Sequence, residues 1–274
     1  MNLDFSRPRV MAIVNVTPDS FYAGSRKQTE EAVADRVREA LAEGADMLDV
    51  GGYSSRPGAD PVSVEEEWRR VDMGISEIRK QDAHVVISVD TFRAEVARRA
   101  VAKYGELIIN DISAGELDAE MLPTVASLGV PYLAMHMKGD PQTMQSHTDY
   151  QRDITTEVVA YFEKRCCDMQ QAGIAQRNIL LDPGFGFAKT LEQNYELLGG
   201  LSRLKALGYP ILVGLSRKSM IYKALDTTPQ VALAGTIALD WECLRQGAVI
   251  LRVHDVQEAC DTVRLFEIYK KATK

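Results

Sequence analysis

Short apolar runs in this sequence repeatedly end in a polar residue. The run 179–181 stops at Asp182 and is followed by Pro-Gly-Phe-Gly-Phe and, after one alanine, by Lys189. Such a run is typical of a buried strand, and the proline and glycines turn the chain so that its backbone can approach a ligand. The other runs end at Asn15, Asp49, Asp90, Asn110, His136, the segment 214–218, and Arg252 with His254. Polar residues gathered at one end of every strand predict a single site.

One group of these residues can hydrogen-bond a flat heterocycle that has amide and amino edges. It consists of Asp90, Asn110, Asp182 and Lys218. The carboxylate of Asp182 is an acceptor that suits an amino-pyrimidinone edge, whereas Asn110 and Lys218 can serve carbonyl oxygens and ring nitrogens.

A second group supplies the cations and donors that suit an anion such as phosphate. It consists of Asn15, Arg56, Arg252 and His254. Asn15 could instead ligate a hard cation through its amide oxygen, since magnesium keeps waters and takes few protein ligands besides substrate phosphates. No pair of acids is spaced for a metal cage made by the protein alone.

The elements that position these residues repeat as a strand followed by a helix. Strands are predicted over 10–14, 47–50, 85–89, 107–109, 130–135, 179–181, 211–213 and 249–251. The segments between them carry apolar residues at helical spacing, with an N-cap expected at Thr29 and an S-x-x-E capping box from Ser63 to Glu66.

Eight such units in about 250 residues predict an α/β fold, a (β/α)8 TIM barrel that forms a single domain over residues 1–274. A doubly wound open sheet is the alternative, but the sequence lacks the GxGxxG pattern of a dinucleotide fold. In a TIM barrel the active site lies at the carboxyl ends of the strands, which is where the polar residues gather.

The composition is that of an ordinary globular protein, with 46% hydrophobic and 26% charged residues in a chain of 274. A formal net charge of −7 argues against nonspecific nucleic-acid binding. No apolar run is long enough to span a bilayer and no signal-peptide pattern opens the chain, so we expect a cytoplasmic protein with no membrane partner. Cys166, Cys167, Cys243 and Cys260 show no CxxC spacing, so neither a zinc site nor a disulfide framework is predicted. Cys166 and Cys167 are expected to be packing residues of a helix.

Each candidate residue also has a purely structural interpretation. Asp182 can cap a turn, Asp90 can cap the helix that follows it, and His136 can be a hydrogen-bonded core histidine. Lys218 can be a solvated lysine at the start of a helix, or the Schiff-base lysine of an aldolase.

Two connections are long for a barrel of this kind, the loops 17–26 and 53–61. Both are rich in Pro, Gly and Ser, which is typical of lids that close over a substrate. Exposed surface loops without such a role are the alternative.

Eight stretches of the sequence together resemble the dihydropteroate synthases, TIM-barrel transferases of folate biosynthesis. They are MAIVNVTPDSF (11–21), DVGGYSSRPGA (49–59), SVDT (88–91), INDISAG (109–115), MHMKGDPQTMQ (135–145), DPGFGFAK (182–189), GLSRKS (214–219) and RVHD (252–255). Each stretch is short, but all of them occur in the family's order and cover nearly the whole chain.

The resemblance implies three neighbouring binding sites and a catalytic set. The pterin ring would be held by Asp90, Asn110, Met135, Asp182, Phe187 and Lys218. The diphosphate would be held by Asn15, Arg56, Arg252 and His254, with Mg²⁺ at Asn15. The 4-aminobenzoate site would consist of Ser55, Arg56, Pro57, Phe187, Lys218 and Ser219, with Ser219 taking the carboxylate at a helix N-terminus. The catalytic residues would be Asp90, Asp182, Lys218 and Arg252.

The implied reaction condenses 6-hydroxymethyl-7,8-dihydropterin diphosphate with 4-aminobenzoate to give 7,8-dihydropteroate and diphosphate. An arylamine is already nucleophilic, so the difficult step is separating diphosphate from the pterin methylene. Cations would stabilise the leaving group, and the buried carboxylates the positive ring. The resemblance also implies a homodimer formed through outer helices of the barrel, and a target of sulfonamides.

Two residues depart from the pattern of the family. Ser55 stands where the family usually has Thr, which keeps the hydroxyl and loses a methyl group. Ala23 stands where the first loop usually carries Asp, which removes a carboxylate from a loop expected to close over the diphosphate. We expect Asp19 to suffice; altered loop closure involving Arg26, or impaired catalysis, are the alternatives.

Three competing functions remain at this point. A methyltransferase that uses a methylated folate shares the barrel, although Arg56 and the cationic group argue against it. A pterin-binding paralogue without turnover is supported only by Ala23. An aldolase would use Lys218 as its Schiff base.

Overall fold

The computed structural model describes residues 3–16, 26–54 and 61–273 of the chain, without the side chains of 26–29 and 145. Within these residues eight strands alternate with helices along the sequence. The strands are β1 (Arg9–Asn15), β2 (Met47–Gly51), β3 (Val86–Asp90), β4 (Ile108–Asp111), β5 (Tyr132–Met135), β6 (Ile179–Asp182), β7 (Leu212–Val213) and β8 (Ile250–Val253). Each predicted strand is present, with bounds that differ by no more than two residues at either end.

All strands are parallel and form one sheet in the order β6-β5-β4-β3-β2-β1-β8-β7. The two outer strands of that order meet through a parallel bridge between Leu181 and Ile211, and the amide of Leu181 donates to the carbonyl of Pro210 at 3.0 Å. The sheet therefore curls into a nearly closed barrel, and the predicted (β/α)8 architecture is confirmed.

Ten helices lie between and after these strands in the described residues. They are α1 (Arg26–Ala42), α2 (Val64–Gln81), α3 (Ala94–Tyr104), α4 (Met121–Leu128), α5 (Ile154–Gln171), α6 (Leu191–Gly199), α7 (Leu201–Lys205), α8 (Ser219–Tyr222), α9 (Leu233–Gln246) and α10 (Val256–Ala272). Their apolar faces pack on the outside of the barrel; in α2, for example, Val71, Ile75 and Ile78 are buried in the main core. No helix in this part of the chain is long and apolar enough to cross a membrane.

Local signals at the helix starts were only partly right. The first helix begins at Arg26, so Thr29 lies inside it instead of capping it. Ser63 accepts from the amide of Glu66 at 3.2 Å, but the Glu66 side chain pairs with arginines of its own helix, so only half of the predicted capping box forms. The full capping box of the structure is the one between Thr190 and Gln193 at the start of α6.

The cysteines are free thiols, as expected. Cys166 is buried on the core face of α5, whereas Cys167 is exposed, so the packing role predicted for both holds for Cys166 alone.

The barrel interior is arranged in layers because side chains alternate along each strand. Near the amino ends of the strands lies a purely apolar layer, formed by Met11, Met47, Ile108, Leu133, Leu180, Leu212 and Ile250. Two residues further along the same strands, on the same face, stand Ile13, Asp49, Asn110, Met135, Asp182, Gly214 and Arg252. The fold therefore places the polar members of this set inside the barrel, near its carboxyl-terminal mouth. They are Asp49, Asn110, Asp182 and Arg252.

Candidate active site

Arg252 lies at the centre of the polar layer. From β8 its guanidinium donates Nε to the Oδ2 of Asp49 at 2.7 Å and a terminal nitrogen to the Oδ2 of Asp90 at 3.0 Å. The strand β8 pairs with β1 and β7, not with β2 or β3, so both contacts cross the barrel interior. The side chain is 19% exposed. One arginine therefore neutralises two carboxylates of other strands while part of its surface faces the mouth.

Asp49 connects this arginine to Asn110. It is fully buried, and the side-chain amide of Asn110 donates to its two carboxylate oxygens at 3.3 and 3.2 Å. A carboxylate can only accept, so this contact fixes which end of the Asn110 amide is the nitrogen. Asp49 had been noted as a strand end but had received no role. The sequence signal that could have revealed this role is the position of Asp49, two residues after an inward-facing apolar residue of the same strand.

Asn15 and Asp90 face each other across a glycine. In the register of the sheet Asn15 is opposite Gly51, Gly51 is opposite Asp90, and Asp90 is opposite Asn110. A Cβ on Gly51 would lie 3.7 Å from the Oδ2 of Asp90 and 3.8 Å from the Oδ1 of Asn15. The missing side chain leaves room for a ligand group between an amide oxygen and a carboxylate.

Asp182 ends β6 at the opposite side of the mouth, 7% exposed. Its Oδ1 accepts from the amide of Gly184 at 2.8 Å, which holds the carboxylate at the start of the following turn. Gly184 has φ +69°, and a Cβ there would lie 2.0 Å from the carbonyl oxygen of His136. Only glycine fits this close approach of β5 and the turn. Asp182 thus caps its turn, as its structural interpretation required, and still faces the barrel interior.

Lys218 reaches the same region from the loop before α8. Its Nζ donates to the carbonyl of Phe185 at 2.6 Å and lies 4.7 Å from the centre of the Phe187 ring, which is a cation–π distance. Arg217, directly before it, has φ +54°, a strained conformation for a residue with a side chain. Backbone strain next to a half-buried cation is typical of functional sites.

Burial and opposite charges oppose each other in this layer. Burial raises the pKa of Asp90, which Arg252 counteracts, and it raises the pKa of Asp182, which Lys218 counteracts. Burial also lowers the pKa of Lys218 to about 8, with Asp182 opposing the shift. In each of these groups the neighbouring opposite charge therefore offsets only part of the effect of burial.

An apolar wall lines one side of the mouth. It consists of Ile112, Met135, Met137, Met144 and Ala188, with Phe92 and Phe187 packed against it. Met135 pairs in register with Asp182. A flat ring could thus rest on sulfur and aromatic surface while its polar edge meets carboxylates and an amide.

A sequence model of the family described as "Pterin binding enzyme" matches residues 11–254 of the chain. The dihydropteroate synthase of Escherichia coli (strain K12) is 46% identical over 270 residues, which cover 97% of this chain and 93% of that protein. A structure of Xanthomonas albilineans dihydropteroate synthase with 4-aminobenzoic acid has a TM-score of 0.90 and 42% identity, and covers 98% of this chain and 95% of that one. The chain belongs to the dihydropteroate synthase family. It is a transferase, and the resemblance found in its sequence is confirmed.

Further members agree with this placement. The dihydropteroate synthase of Haemophilus influenzae is 40% identical over 265 residues, covering 97% of this chain and 95% of that protein. The Xanthomonas albilineans synthase has also been solved in complex with 7,8-dihydropteroate, with a TM-score of 0.87, 40% identity and 98% and 95% of the two chains covered. The membership therefore rests on sequence and structure along almost the entire chain.

Several of the predicted synthase residues lie outside the described residues. They are Asp19, Ala23, Ser55, Arg56 and Pro57, and with them most of the two predicted lids. Of the residues that are described, Asn15, Asp90, Asn110, Met135, Asp182, Phe187, Lys218 and Arg252 surround the mouth of the barrel. Their roles in binding and catalysis stay predictions.

The ends of the second loop are held by an arginine that the sequence did not single out. The guanidinium of Arg93 lies 5.4 Å from the centre of the Tyr53 ring and donates to the carbonyl of Val62 at 2.8 Å. It also forms an ion pair with the fully buried Glu67 at 2.7 Å, and Glu67 binds Thr91. This arginine is the second residue after the SVDT stretch, but nothing local in the sequence indicates that it bridges both ends of the loop.

His254 and Ser219 sit where two of the synthase motifs meet. His254 is exposed; its amide donates to the hydroxyl of Ser216 at 3.3 Å, and its carbonyl accepts from Arg36 at 2.7 Å. Ser219 opens α8, which is a single turn of four residues, so the predicted helix N-terminus is short.

A bidentate ion pair joins these two motifs. Arg217 donates to both carboxylate oxygens of Asp255 at 2.8 Å, which ties the loop after β7 to the end of β8. Both residues belong to recognised stretches, but their contact depends on strand register that the sequence does not show.

Proposed function

We propose that this chain joins 6-hydroxymethyl-7,8-dihydropterin diphosphate to 4-aminobenzoate, forming 7,8-dihydropteroate and diphosphate, at the mouth of the barrel. The observation that carries the proposal is the charged network inside the mouth, in which Arg252 spans Asp49 and Asp90 while Asp182 and Lys218 face them. The titles of two solved relatives name 4-aminobenzoic acid and 7,8-dihydropteroate, the second substrate and the product of this reaction.

The pterin ring is proposed to lie with its polar edge toward Asp182 and Asn110. Asp182 accepts from the exocyclic amino group and the adjacent ring N–H, which are donors that a carboxylate matches. One N–H of the Asn110 amide is directed at Asp49, which leaves its oxygen to accept from a ring N–H and its second N–H to donate. The sequence predicts that Asn110 serves carbonyl oxygens and ring nitrogens, and the contact with Asp49 adds an acceptor role for its oxygen. Lys218 donates to the carbonyl side of the ring.

The chemical step follows from charge. The aryl nitrogen forms a bond to the pterin methylene carbon, the carbon–oxygen bond breaks with its electron pair leaving on diphosphate, and the aryl nitrogen releases one proton. Positive charge spreads into the ring as diphosphate departs, and the carboxylates of Asp90 and Asp182 stabilise it in a buried setting. Arg252 then faces both charges, since it pairs with Asp90 and is partly exposed at the mouth.

The diphosphate is proposed to bind among Asn15, Arg252, His254 and Arg56, with Mg²⁺ taken up beside Asn15. In the described part of the chain no three His, Cys, Asp or Glu residues cluster so as to hold a metal ion. A site with one amide oxygen suits Mg²⁺ that is held mainly by diphosphate oxygens and water. The ion would neutralise part of the leaving group's charge.

The aminobenzoate site is proposed to combine the second loop, through Ser55, Arg56 and Pro57, with Phe187, Lys218 and Ser219. Support comes from the Lys218–Phe187 contact, which places a cation and a ring face at the same edge of the mouth. A Yersinia pestis relative has been solved in a complex with a sulfonamide drug, and we propose that sulfonamides compete with aminobenzoate here too.

A homodimer is part of the proposal. The outer face of α10 exposes Leu265, Ile268 and Tyr269, and the ring of Trp241 in α9 packs at a tilt against Tyr269, with 5.6 Å between the ring centres. Apolar side chains grouped on adjoining outer helices are suited to an interface between copies. Light scattering after gel filtration measures the mass directly.

The deciding experiment is release of diphosphate from the dihydropterin diphosphate with Mg²⁺, with and without 4-aminobenzoate. Release that requires aminobenzoate and yields 7,8-dihydropteroate supports the synthase and makes Ala23 a tolerated change. Binding of pterin without release identifies the paralogue that lacks turnover. No binding of pterin at all overturns the assignment of the mouth as a pterin site.

A further inference from the structure

A second lysine, Lys189, is buried behind the pterin-facing surface. It is 5% exposed, and its ammonium lies 2.9 Å from the Nδ1 of His136, 2.9 Å from the carbonyl oxygen of Gly184 and 3.0 Å from that of Phe187. An ammonium has three protons, so these three acceptors use all of them. A lysine is rarely buried so deeply without a partner carboxylate, and here the acceptors are neutral.

These contacts tie the end of β5 to the turn after β6. Within that turn the amide of Phe187 donates to the carbonyl of Gly184 at 3.1 Å, and Ala188 has φ +50°, a strained conformation for a residue other than glycine. Lys189 therefore holds both ends of a strained turn. The same turn begins at Asp182 and presents the ring of Phe187 to Lys218.

The charge of Lys189 also acts on Asp182, the residue that begins the turn held by the hydrogen bonds of Lys189. The ionisable groups whose charges bear on it are Asp182, which stabilises the ammonium, and Lys218, which opposes it. Burial lowers the pKa of Lys189 to about 7. Conversely Lys218, Arg252 and Lys189 all lower the pKa of Asp182 against the effect of burial.

His136 keeps the lysine's surroundings neutral. Burial first, and then the charges of Lys189 and Lys138, hold the pKa of His136 well below its usual range. The ring packs edge-on against Tyr161 at 4.8 Å and lies 6.2 Å from Tyr150. A neutral imidazole whose Nδ1 faces the ammonium accepts a hydrogen bond from it, so the histidine anchors the lysine and does not act as a base.

We propose that Lys189 is a positioning residue of the pterin site, which fixes the turn carrying Asp182 and Phe187 and keeps the Asp182 carboxylate ionised for the ring. This inference rests on the proposed function of the mouth. It assigns to the lysine that ends the DPGFGFAK stretch a role distinct from that of Lys218: Lys189 contacts the turn from behind, whereas Lys218 faces the ring.

The test is calorimetric binding of 6-hydroxymethylpterin to the full chain and to Lys189→Met between pH 6 and pH 9. The variant keeps the length of the side chain and loses the ammonium. We expect about tenfold weaker binding at pH 6, because the turn loses three anchoring hydrogen bonds and Asp182 loses a neighbouring positive charge. The difference should be smaller above pH 7, where Lys189 of the unchanged protein loses its own charge. Asn178→Ala is the matched control. It removes a buried hydrogen bond to Gly129, 3.0 Å long, at the other end of β6, and should lower stability alone.

A Lys189→Met protein that binds pterin like the unchanged chain at every pH, with only a lower melting temperature, would reduce the residue to a structural role and overturn the inference. If the variant does not fold, His136→Leu removes one anchor and retains the charge. We then expect about threefold weaker pterin binding with the pH dependence retained, and unchanged affinity overturns the inference. Failure of the unchanged chain to bind pterin contradicts the proposed function instead, so the two failures are distinguishable.

Discussion

The two interior layers of the barrel are built by the same strands and differ almost completely in character. The lower layer, at the amino ends, consists of aliphatic and methionine side chains, against which Leu3, Phe5, Val86 and Val249 pack. The upper layer, two residues further on, contains the carboxylate of Asp49, the amide of Asn110 and the guanidinium of Arg252. The carboxylate of Asp90, which lies opposite Asn110 in register, joins this network through Arg252.

In this fold the residues that mainly stabilise the chain and the residues that perform chemistry lie in different layers of the barrel. Apolar area buried in the lower layer stabilises the folded chain, whereas each charge in the upper layer loses water and regains only part of that energy from its partners. Such a network persists where it performs chemistry. Substitutions in the lower layer should therefore change stability without changing kinetics, whereas substitutions in the charged network of the upper layer should change kinetics, whether or not they also change stability.

Arg252→Met should have the largest effect of any single change. Asp49 and Asp90 lose their shared partner, and an unpaired buried charge destabilises by about 3–5 kcal/mol. The diphosphate also loses a cation. We expect kcat/KM for diphosphate release to fall about a thousandfold, equivalent to about 4 kcal/mol of transition-state stabilisation, with a lower midpoint of urea unfolding. Arg245→Met, which removes an exposed pair with Glu242, is the control and should change neither value much. Nearly unchanged kcat/KM in Arg252→Met would remove the arginine from the mechanism.

Leu180→Ala tests the lower layer on the strand that carries Asp182. Leu180 is buried among the apolar residues of that layer, and truncating a buried leucine typically destabilises by about 2–5 kcal/mol. We expect a loss of about 3 kcal/mol in the free energy of unfolding, measured by urea denaturation, with KM for the pterin substrate within about twofold of the original. A large rise in KM at low temperature, where the variant is folded, would show that the layers are coupled.

The division between layers was partly readable in the sequence. Short apolar runs that end in a polar residue predicted the strands and placed Asp90, Asn110, Asp182 and Arg252 at their carboxyl ends, and the recognised stretches supplied the family. These features are local, since each depends only on residues close together in the sequence.

The cross-barrel contacts could not be predicted from the sequence. That Asp49 binds both Arg252 and Asn110 depends on the stagger of strands far apart in sequence, which no local pattern encodes. The same holds for Arg93 at the ends of the second loop. The burial of Lys189 was missed for a different reason. A lysine after a glycine-rich turn is usually solvated, and only the close approach of β5 reveals its acceptors.

Asp182→Asn keeps the shape of the side chain and removes its charge from the upper layer. The amide oxygen can still accept from Gly184, so the turn should hold. The two proposed bonds to the pterin lose their charge assistance, each worth about 1.5–3 kcal/mol, and the amide nitrogen meets a donor. We expect about a hundredfold weaker pterin binding by calorimetry. Asp168→Asn, on the outer surface of α5, is the control. Unchanged binding would exclude Asp182 from pterin recognition.

The upper layer should also titrate, which the lower layer cannot. Burial lowers the pKa of Lys218 to about 8 and that of Lys189 to about 7, and a lysine is charged below its pKa, so both charges are lost as pH rises through this range. We expect log kcat/KM to fall as pH rises through about 8, chiefly through loss of the Lys218 charge, with a further fall of at most about tenfold from loss of the Lys189 charge. Lys218→Arg keeps its charge at every accessible pH, so only the smaller fall should remain. An unchanged pH dependence in that variant would show that Lys218 is not the titrating group.

Ser88→Ala should give the smallest effect. It tests whether all polar groups of the upper layer contribute to function or only its charged network. Ser88 lies in the upper layer, opposite Asp49 in register, yet its buried hydroxyl has no hydrogen-bond partner among the described residues. Removing a buried unsatisfied group should raise the free energy of unfolding by about 1 kcal/mol and leave kcat/KM unchanged. Ser113→Ala is the matched control, because that buried hydroxyl donates to Asp111 at 2.7 Å and its loss should destabilise by about 1 kcal/mol. If Ser88→Ala instead lowers kcat/KM, the hydroxyl binds a ligand or a substrate-bound water, and polarity throughout the layer, not only its charged network, contributes to function.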